Sequence, residues 1–424
     1  MAVRIGVEPR SFSENPAFAA ASASGGRVRR KWGPVVTLEL SKLTAQVQEM
    51  GQEAAARQQR QRDLVTLARQ WLSMYTDSAG DLRTVAAQAR AAVPTDERFD
   101  AAFPLPETPS RFTVIAADGS SIHPSRHEVA LYYLINIGSL VYRHGSGEPP
   151  QPASEPTLGY TESDLYEDGL LVAGNLLDVR RDLAEITRLA DLCVAEPPEN
   201  GPTVALVDGT LLLWVLEERA DVRRRAKISA YLGQLERIQA SGAAVAAFIS
   251  RPRHAEVVRL LHLASVGGEV ERATREPNPL EHLPDRALFG RLPPGARSAL
   301  FISPAQINQE HYRPAGHAVY FFYLNLAGAG RPPVIARVEV PQWVARNTAR
   351  LNFVHGAIVA QARITGDYPY ALARADELAF IGGPERQALQ EMIGTALLRA
   401  GVTVAPSPKA FYKSLTRSGG RRRR

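Results

Sequence analysis

The chain has 424 residues, 45% of them hydrophobic and 22% charged, enough to bury a large core as one big domain or two ordinary ones. Its single cysteine, Cys193, excludes a disulfide framework or a cysteine-based zinc site within the chain. The net charge of +6 is uneven: residues 1–32 set six Arg and Lys against Glu8 and Glu14, and residues 409–424 carry seven with no acid, so the body between is acidic.

Flexible basic arms suit phosphate contact, and they serve equally as solubilising tails. No apolar run reaches the roughly 18 residues of a membrane span. The first thirty residues have no continuous apolar core of a signal peptide. A reducing cytoplasm is the expected compartment.

In chain order, residues 1–33 read as a disordered basic arm. Leu40, Leu43, Val47 and Met50 recur at 3-4-3 spacing, and Leu64, Leu67, Trp71 and Tyr75 at 3-4-4. Residues 36–76 therefore read as a helical arm, with 51–63 as a solvated stretch or a kink. Such an arm suits dimerisation or packing. A second helix is expected over 81–93 and a linker over 104–111. The run FTVIAADGSS, 112–121, reads as a buried strand with Asp118-Gly119 at or near a bend. Tyr132, Tyr133, Ile135 and Ile137 favour a strand over 128–143. A polar, Pro-rich loop is expected at 145–156 and a helix at 174–194. TVALVDGTLLL, 203–213, is a second buried strand, carrying Asp208-Gly209. A helix at 221–241, a strand at 243–250 and a helix at 255–264 follow. Residues 267–294 read as a loop-rich insertion. Strands at 298–302, 317–326 and 334–340 precede helices at 347–362, 370–380 and 384–400. Helices crossing between strands predict an α/β fold with a mixed sheet.

An aspartate in so apolar a run is unfavourable unless it is paired or holds a cation. Asp118 and Asp208 on two central strands therefore suggest a shared site for Mg²⁺ or Mn²⁺, which prefer carboxylate oxygens. A third carboxylate is expected from a nearby helix, and Glu185 fits; it also fits an ordinary i, i+4 salt bridge with Arg181. Near the C-terminus, Gly366-Asp367-Tyr368-Pro369-Tyr370 opens a helix that carries Asp376 two turns in. Tyr368 reads either as a phosphate contact or as a core or capping tyrosine. Arg251 and Arg253, after the 243–250 strand, would clamp a phosphate backbone or lie on a solvated loop.

This ordered set resembles the NurA family of DNA-end-processing nucleases. It comprises Asp-Gly-Ser, an Arg/Glu helix, Val-Asp-Gly-Thr-Leu and Phe-Ile-Ser with a basic residue. Pro-Asp-Arg-x-Leu-Phe with Pro-Gly-x-Arg-Ser, Arg-Val-Glu-Val-Pro and Gly-x-Tyr-Pro-Tyr-x-Leu follow. The resemblance implies an RNase H-like mixed sheet flanked by helices. It would comprise a nuclease domain at 34–404, with a helical arm at 36–95, an insertion at about 267–297 and a basic tail at 405–424. It implies a Mn²⁺-dependent site, with Mg²⁺ as a substitute, made of Asp118, Glu185, Asp208 and Asp376, with Tyr368 as a further catalytic residue. It implies single-strand endonuclease and 5′→3′ exonuclease action on DNA in double-strand-break end resection. The implied partners are a second copy of the chain and a HerA-type hexameric ATPase. Family members usually carry histidine at the position of Asp376, and an aspartate ligates a hard metal as well. The competing readings are a non-catalytic DNA-end clamp and a metal-dependent RNA phosphodiesterase.

Other signals are assigned to structure. His123 and His127 lack the inner glutamate of a zincin motif. Asp285-Arg286 reads as a structural pair. Glu339 reads as a buried ion pair or a further metal-site member. Trp214 and Trp343 read as core or interface. There is no phosphate-binding glycine loop of an ATPase or dinucleotide enzyme.

Overall fold

The computed structural model describes residues 39–125, 128, 130–216 and 222–402. They form two units, the first ending at Arg57 and the second beginning at Gln58. The first unit holds a 3-10 turn, Leu40–Leu43, and the start of helix α1 (Thr44–Met74), which runs on as one helix into the second. The polar stretch 51–63 does not break it. The expected terminal arm at 1–33 and the basic tail at 405–424 lie outside the described residues.

The second unit is organised on a mixed sheet with eleven strands among the described residues. Its long strands are β1 (Phe112–Ile122), β2 (Tyr133–His144), β3 (Gln151–Gly159), β4 (Thr203–Asp208), β5 (Ala244–Ile249), β6 (Val319–Asn325) and β7 (Ile335–Pro341). They lie in the order β3-β2-β1-β4-β5-β7-β6. β1, β2 and β3 form an antiparallel meander, and β4 and β5 add in parallel on the far side of β1. Parallel neighbours need crossovers, and helices α2 (Asn175–Ala195) and α3 (Val222–Ala240) supply them. A meander extended by two parallel strands is the expected RNase H-like arrangement. β7 and β6 widen it with antiparallel pairs.

Side chains alternate between the sheet faces. Ile115, Ala117, Ala205, Val207 and Val245 pack with Ile186 and Leu189 of α2 and Ile228 and Leu235 of α3. Val114, Ala116, Val204, Leu206 and Phe248 pack on the other face, against Leu351 and Ile358 of a late helix and Ala371 and Ala375 of the next. A third cluster joins Ala68 of α1 to Leu260 and Leu261 of α4 (Glu256–Ser265), with Phe301, Phe321 and Tyr323. The late helices are α5 (Thr348–Thr365), α6 (Tyr370–Ala379) and α7 (Gly383–Arg399). Among the described residues no helix is long and apolar enough to cross a membrane.

Several expectations need correction. The helix at 81–93 is confined to Ala79–Leu82, followed by turns. Its far end is drawn into the sheet instead, where Val93 and Pro94 pair with Ile302 and Phe301. The second half of the Pro-rich loop expected at 145–156 belongs to strand β3. Pro152 and Pro156, an even number apart, share one orientation on a sheet edge, where a missing N–H breaks no ladder bond. β1 does not bend at Asp118-Gly119 but runs through to Ile122, whereas β4 ends at Asp208. The 267–294 region contains two short helices, Val270–Arg275 and Asp285–Leu288, and buries Leu280, Leu283 and Leu288. Asp285 makes its bonds to the Val257 and Val258 N–H groups and to the Tyr323 hydroxyl.

Candidate active site

Ala117 of β1 lies beside Val207 of β4 in register, so Asp118 and Asp208 are neighbours at the same end of the sheet. The alternation that sends Ala116 and Leu206 toward α5 and α6 sends both aspartates the same way. Helix α6 delivers Asp376 to this face, where its carboxyl stands against that of Asp118. Tyr368, two residues before α6, sets its hydroxyl against Asp208 and its ring edge-on to Phe248, centroids 5.3 Å apart.

Helix α6 is held at both ends by buried amides. Gln361 Oε1 accepts the Ala371 N–H at 2.8 Å. Asn136 Nδ2 donates to the Leu378 and Ala379 carbonyls at 3.1 and 3.0 Å. These bonds satisfy backbone groups that a helix end leaves unpaired, and they fix the height of Asp376 above the sheet.

Burial first, and then neighbouring carboxyl charge, raise Asp118 and Asp208. Burial pushes Asp118 up to about 6, the Gly119 N–H pulls it back, and the charges of Asp208 and Asp376 add to the rise. Asp208 is raised by desolvation and by Asp376, against the Tyr368 hydrogen bond, and water at the exposed strand end tempers the effect. Burial, then Asp208, holds the Tyr368 phenol far above its ordinary range, so it remains a neutral donor.

Glu185 comes to the same end of the sheet from the other face. A side-chain Cβ on Gly119 would stand 2.5 Å from Glu185 Oε1 and 2.7 Å from Arg181 Cγ, so these two side chains lie against β1 because residue 119 is glycine. Burial holds Glu185 well above the usual carboxylate range, with Asp182 and Asp118 adding to it. Arg181 bridges three carboxylates of its own helix, 3.2 Å from Glu185, 3.1 Å from Asp182 and 3.5 Å from Asp178. Glu185 is thus the ion-pair partner of Arg181, and it lies near enough to Asp118 for their charges to interact. A pocket of about 200 Å³ joins Asp182 and Glu185 to Asp208, Gly209 and Thr210. The sequence reading missed Asp182, whose i, i+3 spacing from Glu185 was the available signal.

Arg251 and Arg253 are exposed beyond β5, Arg251 in a left-handed backbone conformation (φ 48°), with no ion pair among the described residues. Glu339 is a buried ion pair with Arg337. His123 accepts the Gly174 N–H at the start of α2, and His127 lies outside the described residues. Trp214 and Trp343 pack partly buried against the core.

Among the described residues no three His, Cys, Asp or Glu side chains stand close enough to enclose a metal ion. The donor chemistry nevertheless fits a hard divalent cation. Asp118, Asp208 and Asp376 offer oxygens only, and a cation would relieve the repulsion that lifts Asp118.

The matching family is the NurA domain, over residues 112–381. Among solved structures, the NurA nuclease from Sulfolobus solfataricus is similar at 13% identity, covering 77% of this chain and 94% of its own, with a TM-score of 0.45. The C-terminal lobe of a budding yeast Argonaute is similar at 11% identity over 69% of this chain and 50% of its own, TM-score 0.28. LC9-RNase H1 is similar at 12% over 41% and 77%, TM-score 0.21. No curated protein matches.

Proposed function

Because the chain belongs to the NurA family, with the domain spanning residues 112–381, we propose that it is a nuclease that hydrolyses DNA phosphodiesters with a divalent metal. The observation that carries this reading is the convergence of Asp118, Asp208, Asp376 and Tyr368 at the end of the two central strands. Asp118, Asp208 and Asp376 would hold Mn²⁺, or Mg²⁺ in its place, with Glu185 turning in from the opposite face. A bound cation there would activate water and stabilise the charge on the leaving oxygen. Tyr368, held neutral, donates a hydrogen bond and would orient the scissile phosphate. Arg251 and Arg253, exposed just beyond the end of β5, would take the backbone phosphates on either side.

Family membership supports, as part of this proposal, single-strand endonuclease and 5′→3′ exonuclease action in break-end resection, with a HerA-type hexameric ATPase as partner. The single cysteine supports a reducing, cytoplasmic compartment. A homodimer is further supported by the exposed apolar residues Leu40, Val47 and Met50 on the helical arm. One observation favours a non-catalytic DNA-end clamp instead: among the described residues no three donors close on one point. The deciding experiment is digestion of a labelled single strand with Mn²⁺. Loss of digestion in Asp118→Ala supports the enzyme. Binding without digestion by the wild type supports the clamp, and digestion of RNA alone would redirect the substrate class.

A further inference from the structure

The chain leaves β4 through a turn that is fixed by a carboxylate from another strand. After Asp208, Gly209 adopts φ 93°, a left-handed conformation that side chains disfavour, while its N–H still bonds the Phe248 carbonyl at 3.0 Å. The next two residues share one acceptor. Glu339 Oε2 accepts the Thr210 hydroxyl at 2.7 Å and the Leu211 N–H at 3.1 Å. Thr210 Oγ1 in turn accepts the Leu212 N–H at 3.1 Å. The other oxygen of Glu339 takes Arg337 Nε at 2.9 Å, and Arg337 Nη1 reaches Glu256 at the start of α4. The Arg337 and Glu339 side chains are both 0% exposed.

A buried ion pair is a poor source of stability, because well-packed apolar residues of the same volume hold a core as well. What an apolar pair lacks is a charged acceptor pinned to β7 beside the turn. Two of the hydrogen bonds to that acceptor fall immediately after Asp208-Gly209. Glu339 therefore holds the turn at which β4 stops.

We propose that Thr210 and Glu339 are positioning residues for Asp208, with the Thr210 hydroxyl as the link. This deepens the nuclease reading above and rests on it. In a metal site, partners that orient a ligand without touching the ion are worth about 10–100-fold in affinity or activity. Thr210→Val keeps the volume and removes the hydroxyl, whereas Thr210→Ser keeps the hydroxyl and removes the methyl.

The experiment is Mn²⁺-dependent digestion of a labelled single strand by the full chain, with Asp208→Ala in parallel and melting temperatures measured. Thr210→Val is expected to lose about 10–100-fold in kcat with KM and melting temperature little changed, and Thr210→Ser to restore most of the rate. Wild-type kcat in Thr210→Val beside an inactive Asp208→Ala overturns the proposal. So does a loss in Thr210→Ser as large as in Thr210→Val, which would assign the effect to the methyl. Digestion by Asp208→Ala at the wild-type rate would instead remove the nuclease reading beneath it. If Thr210→Val fails to fold, Thr210→Ala is judged by the same criteria.

Discussion

Asp118 of β1 and Gly138 of β2 are register partners across the antiparallel ladder. A Cβ at Gly138 would run into the Ala375 carbonyl oxygen and the Ala379 nitrogen of α6. The strand residue opposite the first aspartate is therefore the one that lets the helix bearing Asp376 lie flat on the sheet. The meeting of Asp118 with Asp376 depends on the absence of a side chain at residue 138.

Gly138→Ala is accordingly expected to push α6 away from the sheet, because both atoms it meets are backbone. Overpacking of this kind destabilises by about 1–3 kcal/mol. The rate should fall further than the stability requires, since Asp376 moves away from Asp118. Thermal melting and single-turnover digestion of the same preparation check it. Wild-type digestion in a stable Gly138→Ala protein would show that α6 need not sit this close.

Gly119→Ala makes the contrasting case. Its Cβ would meet the Glu185 carboxylate and the Arg181 stem, both parts of side chains that are able to give way. The cost in stability should be smaller than at Gly138, about 1 kcal/mol, since only side chains have to move. The Arg181–Glu185 pair should open, so Mn²⁺ titration of the variant reports whether Glu185 belongs to the donor set. Altered Mn²⁺ affinity places it there, and unchanged affinity leaves it as a salt-bridge partner.

Binding of a divalent cation should also depend on pH. Asp118 holds its proton up to about pH 6, and a metal binds the deprotonated carboxylate. Affinity is therefore expected to rise with pH through 6 and to level off above it, by up to about tenfold per unit on the rising limb. Mn²⁺ titrations at pH 5.5 and 7.5 test this. Asp118→Asn should flatten the dependence as well as weaken binding, and an equally steep dependence in that variant would place the proton elsewhere.

How far the residues alone lead depends on what carries each contact. Asp118 and Asp208 are legible because a carboxylate closing an apolar β-branched run needs a partner or a cation, and the sheet does set the two side by side. Tyr368 and Asp376 are legible only from the order of motifs, since neither the helix period nor composition distinguishes them from ordinary helix-entry residues. Helical spacing puts Glu185 on the strand side of α2, but does not say on which face of the sheet that strand is met. Gly138 gives no local signal at all; its meaning arises from register. The misread elements fail for the same reason. β3 looks like a loop because its prolines suit only an edge, and 81–93 looks helical until Val93 and Pro94 find their partners in a strand about two hundred residues away.

The buried carboxyl of Asp285 gives a stability prediction independent of catalysis. It accepts the Val257 and Val258 N–H groups at 3.1 and 2.9 Å and the Tyr323 hydroxyl at 2.8 Å, tying the start of α4 to β6. Burial outweighs these bonds and pushes the carboxyl from 3.8 up to about 6. The native state thus keeps a proton that the unfolded chain releases near 3.8. The stabilisation is full below that pH and is lost as the pH rises through 6. Between about pH 5 and 7.5 the loss amounts to about 1 kcal/mol. Urea unfolding of wild type and Asp285→Asn at both pH values isolates it. The difference in unfolding free energy, wild type minus variant, should fall by that amount on going to the higher pH, whatever the substitution does to the absolute stability. A difference that stays constant, or grows, would mean that Asp285 is charged in the native protein throughout this range and that its three hydrogen bonds outweigh its burial.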